Sequence, residues 1–414
     1  MIIGCIADDF TGASDIASIL TENGMRTRLC TDLDALRENE EAADAVVIAL
    51  KTRSVAPDDA VRHSLAALDV LRAQGCRQFY FKYCSTFDST PQGNIGPVAE
   101  ALADALEASK VIFCPSFPAN GRTLYQGHLF VGDVLVSDSS MRDHPVTPMV
   151  ESDLRSWLAR QSTGPVGHVP HAIVREGRQA IASAIAAVTE RLVLVDGISD
   201  ADLVEIGRAA GDMILITGGS ALAMALPEHH RQNGSLRAVP DEMGPHPGPA
   251  IILAGSCSTA TNAQVSRYRA NHPSFEINSQ TLAAGYPVLD YADAFAREHT
   301  DAAPMIYSTI TPTEVSARRG DKAFATASAA IELLMADLAV RAVARGVRRI
   351  VVAGGETSGS VVAALKPGVL KVGPQVAPGV PLLVNDGICY ALKSGNFGGD
   401  DFFETALGLM EGGA

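Results

Sequence analysis

Lysine is scarce in this sequence: seven lysines stand beside 26 arginines, and the 47 carboxylates outnumber the 33 basic side chains. The formal net charge is −14. Nucleic acid and anionic membranes select a basic face, so neither is expected as a partner. Small anionic ligands stay open, provided that their site is built locally. Long apolar runs are also missing: Gly, Ser or Pro interrupts each one well short of the ~20 residues that a membrane span requires. The first ten residues lack a basic stretch and place Asp8 and Asp9 where a signal peptide is apolar. The seven cysteines form no C-x-x-C pair, which fits reduced thiols and a cytoplasmic location. Aromatics are only 5%, and the 37 glycines and 22 prolines follow no short period, which excludes collagen-like and low-complexity chains. No repeat of 20–50 residues is visible, against a solenoid or propeller.

The common site motifs are absent too. There is no G-x-x-x-x-G-K-[ST] and no strand-borne G-x-G-x-x-G, so neither a P-loop ATPase nor a nicotinamide-dependent dinucleotide fold is supported. The ten histidines show no H-E-x-x-H or zinc spacing. His168 and His171 are three apart, but prolines flank them. No metal ligand is assigned. Cys5, Cys84, Cys114 and Cys257 lie in or beside apolar strands and read as core or loop thiols.

What is present is alternation. Apolar, β-branched runs at 2–7, 45–50, 78–83, 111–114, 192–195 and 213–217 predict buried strands, and helical patterns at 12–21, 58–73, 95–108 and 178–191 lie between them. The aperiodic stretch 237–249, RAVPDEMGPHPGP, reads as a linker or hinge. Beyond it come strands at 250–254, 304–307, 349–353 and 381–384, with helices from Ser258, across 321–345 and from Asp401. The expected fold is α/β: two α/β domains, 1–240 and 250–414, with largely parallel sheets and an active-site cleft between them.

Open α/β sheets bind ligands at the carboxyl ends of their strands. Asp8-Asp9-Phe10-Thr11-Gly12 follows the first strand, with Thr11 as the expected helix cap. The pair of carboxylates reads either as hydroxyl-activating acids beside a helix N-terminus or as an ordinary capped loop. Three of the seven lysines stand at strand ends, Lys51, Lys82 and Lys393, where a compact ammonium serves an anion or merely snorkels at a sheet edge. Arg53 and Arg122 add positive charge. The hydroxyl-rich run with Ser85, Thr86 and Asp88 suits a polyhydroxylated ligand or a plain turn. Three Gly/Ser loops follow strands of the second domain: Gly255-Ser256-Cys257-Ser258, Gly354-Gly355-Glu356-Thr357 and Gly395-Asn396-Phe397-Gly398. Each alone is a turn; three at equivalent places favour a phosphate-binding cleft.

Longer strings carry a resemblance. ADDFTGASD, KTRS, YFKYCSTFDSTPQGNIGP, NGRTLYQGHLFV, MRDHPVTPM, TGGSALA, GSCSTATNAQ, VVAGGETSG, GPQVAPGVP and LKSGNFG span nearly the whole chain. In these motifs the sequence resembles the four-carbon acid sugar kinase family, departing at Ser14, where that family often has Thr and the hydroxyl is kept. The resemblance implies a sugar-acid-binding N-terminal domain and an ATP-binding C-terminal domain. It implies ATP- and Mg²⁺-dependent phosphorylation of the terminal (4-) hydroxyl of 3-oxo-tetronate, with D-threonate or D-erythronate as alternative acids. A non-catalytic sugar-acid sensor is the reading from another class. Asp8 and Asp9 fall in the acidic motif as candidate proton acceptors. Thr11, Lys51, Arg53, Lys82, Ser85, Thr86, Asp88 and Arg122 are the candidate substrate contacts, with Lys51, Arg53 or Lys82 holding the carboxylate. Ser256, Ser258, Gly354, Gly355, Glu356, Thr357, Gly395, Asn396 and Gly398 are the candidate nucleotide contacts. A homodimer is the default assembly.

Overall fold

The computed structural model describes residues 1–39, 41–144, 146–237, 243–308 and 322–413. The chain divides into two compact units, Met1–Pro240 and Asp241–Ala414.

The first unit contributes strands β1 (Ile3–Ala7), β2 (Thr27–Cys30), β3 (Ala45–Ala49), β4 (Gln78–Lys82), β5 (Val111–Cys114), β6 (Arg122–Tyr125), β7 (His128–Val131), β8 (Val134–Leu135), β9 (Val166–Val169), β10 (Leu192–Val195) and β11 (Leu215–Gly218). Eight of them lie in the order β2-β3-β1-β4-β11-β5-β10-β9, and every neighbouring pair is parallel. Each residue of β1, β4, β5, β10 and β11 is buried. Helices over both faces demand this, and it is why these segments read as continuous apolar runs rather than as alternation. The chain leaves β1 toward β2 on one side and leaves β4 toward β5 on the other. A crevice therefore opens at the carboxyl ends of β1 and β4, where ligands bind in such sheets.

The second unit holds β12 (Ala250–Ala254), β13 (Ser274–Glu276), β14 (Met305–Tyr307), β15 (Arg349–Ala353), β16 (Val369–Ala377), β17 (Val380–Asn385) and β18 (Ile388–Lys393), in the order β13-β14-β12-β15-β18-β17-β16. β13, β14, β12, β15 and β18 are parallel, while β17 runs antiparallel to both β18 and β16. Here the reversal lies between β12 and β15. The core of this unit gathers Ile252, Tyr268, Val351, Leu382, Phe402 and Phe403, all at most 1% exposed.

Some expectations change. The expected strand at 381–384 belongs to an antiparallel meander, β16–β17–β18, whose turns at Gly379 and Gly387 take positive φ. The small antiparallel sheet β6-β7-β8 was not expected, because its short strands are only partly buried and show no clean alternation. The helix predicted at 178–191 stops at Ala187, where β-branched Val188 turns extended (φ −62°, ψ 135°). Of the expected linker, 238–242 lies outside the described residues, and 243–249 forms neither helix nor strand. Residue 321 of the expected long helix also lies outside them; the described part is Lys322–Ala344. No helix among the described residues is long and apolar enough to cross a membrane. All seven cysteines are free: Cys84 and Cys257 are partly exposed and the other five are buried.

Candidate functional site

In the first unit the loops after β1, β3 and β4 are tied together at the crevice. The N–H of Asp8 donates to the carbonyl of Lys82 (3.1 Å), and its carbonyl accepts from the N–H groups of Thr52 (2.9 Å) and Arg53 (3.2 Å). The Arg53 guanidinium closes on the buried Asp8 carboxylate through two bonds, Nε to Oδ2 at 2.9 Å and Nη2 to Oδ1 at 2.8 Å. The same Nη2 lies 2.8 Å from Oδ1 of Asp9. Such a planar fork fixes the carboxylate in direction as well as in distance.

Asp9, not Thr11, caps the helix Phe10–Glu22. Its backbone is extended (φ −148°, ψ 165°) and its Oδ1 accepts from the N–H of Gly12 at 2.8 Å. Thr11 already lies within the first turn, and a carboxylate is the better match to the positive end of the helix dipole. Lys82 ends β4 as a buried ammonium that donates to the carbonyl of Tyr83 at 2.8 Å. A Cβ at Gly12 would sit 2.6 Å from both Lys82 Nζ and Asp9 Oδ1. The ammonium and the capping carboxylate share that space only because residue 12 has no side chain.

Buried Asp15 completes the cluster. Its Oδ2 accepts from Ser220 Oγ, and its Oδ1 is buried without a hydrogen-bond partner. Burial raises the Asp15 carboxyl above the ordinary range despite the charge of Lys82 and the bond from Ser220. Burial also raises Asp8, against the charge and hydrogen bonds of Arg53. For Asp9 burial acts upward as well, but the charges of Arg53 and Lys82 and the Gly12 N–H outweigh it and hold the carboxyl low. The Asp9 side chain is 29% exposed and that of Asp8 only 4%. Asp9 is therefore the more acidic and more accessible member of the pair, while Asp8 anchors Arg53.

The remaining candidates divide. Thr86 Oγ1 donates to Asp88 Oδ1 at 2.5 Å and lies 2.9 Å from Cys84 Sγ. Between them Phe87 takes φ +56° with its ring buried edge-on against Tyr83, so burial of the ring fixes the turn that carries Thr86 and Asp88. Ser85 and Thr11 are partly exposed, and Lys51 is exposed two residues before Arg53. Arg122 opens β6 and donates to the carbonyl of Asn120; among the described residues no hydrogen bond or ion pair joins it to the aspartates. Asn94, not among the candidate contacts, donates to the carbonyls of Thr52 (2.7 Å) and Val55 (3.1 Å), which holds the Arg53 loop.

In the second unit the three glycine loops meet at the other reversal. Gly255 and Ser256 donate to the carbonyl of Ala353 (2.9 and 3.1 Å), and Gly354 to that of Lys393 (2.9 Å). Ser258 caps the helix Thr259–Tyr268, its Oγ accepting from Thr261 N–H (3.2 Å) while donating to the carbonyl of Gly395 (2.6 Å). Gly354 sits at φ +137° just before the helix Gly355–Leu365, where a Cβ would meet Thr357 Oγ1 at 2.8 Å. Gly355, Glu356 and Asn396 are exposed and Thr357 is buried. Gly398 takes φ +82°. Glycine amides ahead of helix N-termini suit phosphate oxygens. Among the described residues no group of three or more His, Cys, Asp or Glu side chains is arranged to hold a metal ion.

Residue-by-residue reading of the sequence missed Asp15, Ser220, Asn94 and Gln264. Ser220 was legible as a hydroxyl just past a strand. Gln264 was legible as a polar residue on the buried stripe Thr261, Gln264, Val265, Tyr268. Asp15 and Asn94 gave no signal that separates them from solvated polar residues.

Both units match known proteins. The family model described as a sugar-binding N-terminal domain matches residues 3–226, and that of a nucleotide-binding C-terminal domain matches 251–403. A curated 3-oxo-tetronate kinase of Burkholderia multivorans is 48% identical over 422 residues, covering 100% of this chain and 98% of its own. One from Haemophilus influenzae is 41% identical over 416 residues, covering 99% and 100%. Among solved structures, a Salmonella typhimurium protein described as a putative tRNA synthase superposes with a TM-score of 0.89 at 41% identity over 98% of both chains. A Haemophilus influenzae protein of the DUF1537 family gives 0.81 at 40% identity, over 98% of this chain and 100% of its own. With both domain models matched in order and kinases of one kind aligned end to end, the chain belongs to the four-carbon acid sugar kinase family.

Proposed function

We propose that the chain is an ATP-dependent kinase that phosphorylates the terminal hydroxyl of 3-oxo-tetronate to give 3-oxo-tetronate 4-phosphate. The observation that carries this reading is the end-to-end identity of 48% with a curated enzyme of that activity. The first unit supplies the acceptor site. Asp9 accepts a hydrogen bond from the terminal hydroxyl and takes its proton late. A low carboxyl pKa is no obstacle, because in a loose phosphoryl transfer the hydroxyl becomes acidic only as the new bond forms. Arg53 and Lys82 lie among three carboxylates and orient and balance the aspartates, and Lys51 or Arg122 holds the substrate carboxylate. Ser85, Thr86, Asp88 and Thr11 bond the remaining oxygens.

The second unit supplies the nucleotide site through Ser256, Ser258, Gly354 to Thr357, Gly395, Asn396 and Gly398. Mg²⁺ would enter bound to the triphosphate and several waters and would neutralise charge on the transferring group. A cytoplasmic location and a homodimer complete the reading.

An ADP-release assay over 3-oxo-tetronate, D-threonate and D-erythronate tests it. Turnover highest with 3-oxo-tetronate is expected. Higher turnover with either hydroxy acid reassigns the substrate, and no ADP with any acid points to a non-catalytic sensor.

A further inference from the structure

One buried basic side chain takes no part in the proposed reaction. Lys393, the last residue of β18, is 1% exposed. Its Nζ donates to Thr261 Oγ1 (2.9 Å), to the carbonyl of Gly395 (2.8 Å) and to that of Ser394 (3.2 Å), and the Phe402 ring lies 5.6 Å away. Among the described residues no carboxylate bonds to it, and burial alone lowers its pKa to about 7. All three of its hydrogens are used within the protein, so it is not itself a ligand for phosphate.

The partners of this ammonium show what it does. The carbonyl of Gly395 also accepts from Ser258 Oγ (2.6 Å) and Thr261 Oγ1 (2.9 Å). Three donors on one carbonyl over-determine its direction. Further along the loop, the fully buried Gln264 sends Nε2 to the carbonyls of Phe397 (3.1 Å), Gly398 (3.1 Å) and Gly399 (2.9 Å). Beyond Ser394, four carbonyls thus converge on the interior. The peptide bonds are trans, so each N–H that follows an inward carbonyl points the opposite way. Those groups belong to Asn396, Gly398, Gly399 and Asp400, and among the described residues none of them donates to an acceptor.

We infer that Lys393 and Gln264 are positioning residues that hold the loop after β18 with its carbonyls inward and its amides outward, as a phosphate-binding face. The inference rests on the nucleotide reading of the second unit. A cation is suited to the interior side, where converging carbonyl dipoles otherwise go unopposed. The outward amides then meet an anion without any charged side chain touching it.

Calorimetric titration of the full chain with ADP, inorganic tripolyphosphate and adenosine tests this in Lys393→Met, Gln264→Leu and Asn396→Pro. Each variant is expected to bind ADP and tripolyphosphate at least about tenfold more weakly, with adenosine affinity unchanged. Unchanged ADP affinity, or an equal loss for adenosine, overturns the inference. If either buried variant loses cooperative melting, Asn396→Pro decides, since it deletes one N–H at an exposed position. Wild-type protein that binds neither ADP nor tripolyphosphate overturns the nucleotide reading itself, and the inference with it.

Discussion

Asp8 and Asp9 are adjacent and chemically identical, yet they have been given different work by what surrounds them. Two Arg53 bonds and 4% exposure commit Asp8 to the interior, while Asp9 caps a helix and faces outward. Asn is as good a cap as Asp, so Asp9→Asn should fold normally and lose about 10²- to 10⁴-fold in kcat, measured by ADP release beside a thermal melt. Asp8→Asn instead breaks a buried ion pair and should cost about 3 kcal/mol of stability in denaturant titration. Because the Asp9 carboxyl is held low, its ionised form persists as pH falls through the ordinary carboxylate range. The acid limb of kcat/KM should therefore lie below that range, and an acid limb near pH 6 would remove Asp9 from the reaction. The sequence displayed both aspartates but not this division, because it hides which carboxylate the distant Arg53 grips through two bonds.

At the scale of elements, both candidate sites sit where a parallel sheet reverses its winding, at β1/β4 and at β12/β15. The apolar runs announced most of the strands because double-sided burial leaves few polar positions in them, whereas β2 and β9, which carry Thr27, Arg28 and His168, were not expected. Strand order was not legible, since it depends on crossovers rather than on composition. The hairpin β6–β7–β8 escaped notice for the opposite reason: half-exposed short strands carry almost no pattern. Gly354 shows how tightly a loop is specified at such a reversal. Its φ of +137° and the closeness of Thr357 Oγ1 exclude a side chain. Gly354→Ala should destabilise the chain by about 1–3 kcal/mol and weaken ADP binding at least about tenfold, read by melting and titration. A variant as stable and as tight as wild type would show that the loop rearranges freely.

For the whole molecule, charge and ligand are in opposition. A chain of net charge −14 that takes two anionic substrates repels them at long range, while its local amides and cations act only at contact. Added salt screens the repulsion more than the buried contacts. The rise of kcat/KM for ATP between about 10 and 150 mM ionic strength is the expected result; a steep fall would reveal a basic steering surface. The distribution of thiols has a separate consequence. Five of the seven cysteines are sealed in the core, and the two partly exposed ones sit beside the two candidate sites, Cys84 next to Thr86 and Cys257 next to Ser258. Burial pushes the Cys84 thiol up to about 11, so it should alkylate slowly. Each unit thus carries its own chemical reporter: a sugar acid should shield Cys84, a nucleotide should shield Cys257, and mass spectrometry of one labelled sample would read the occupancy of both sites at once.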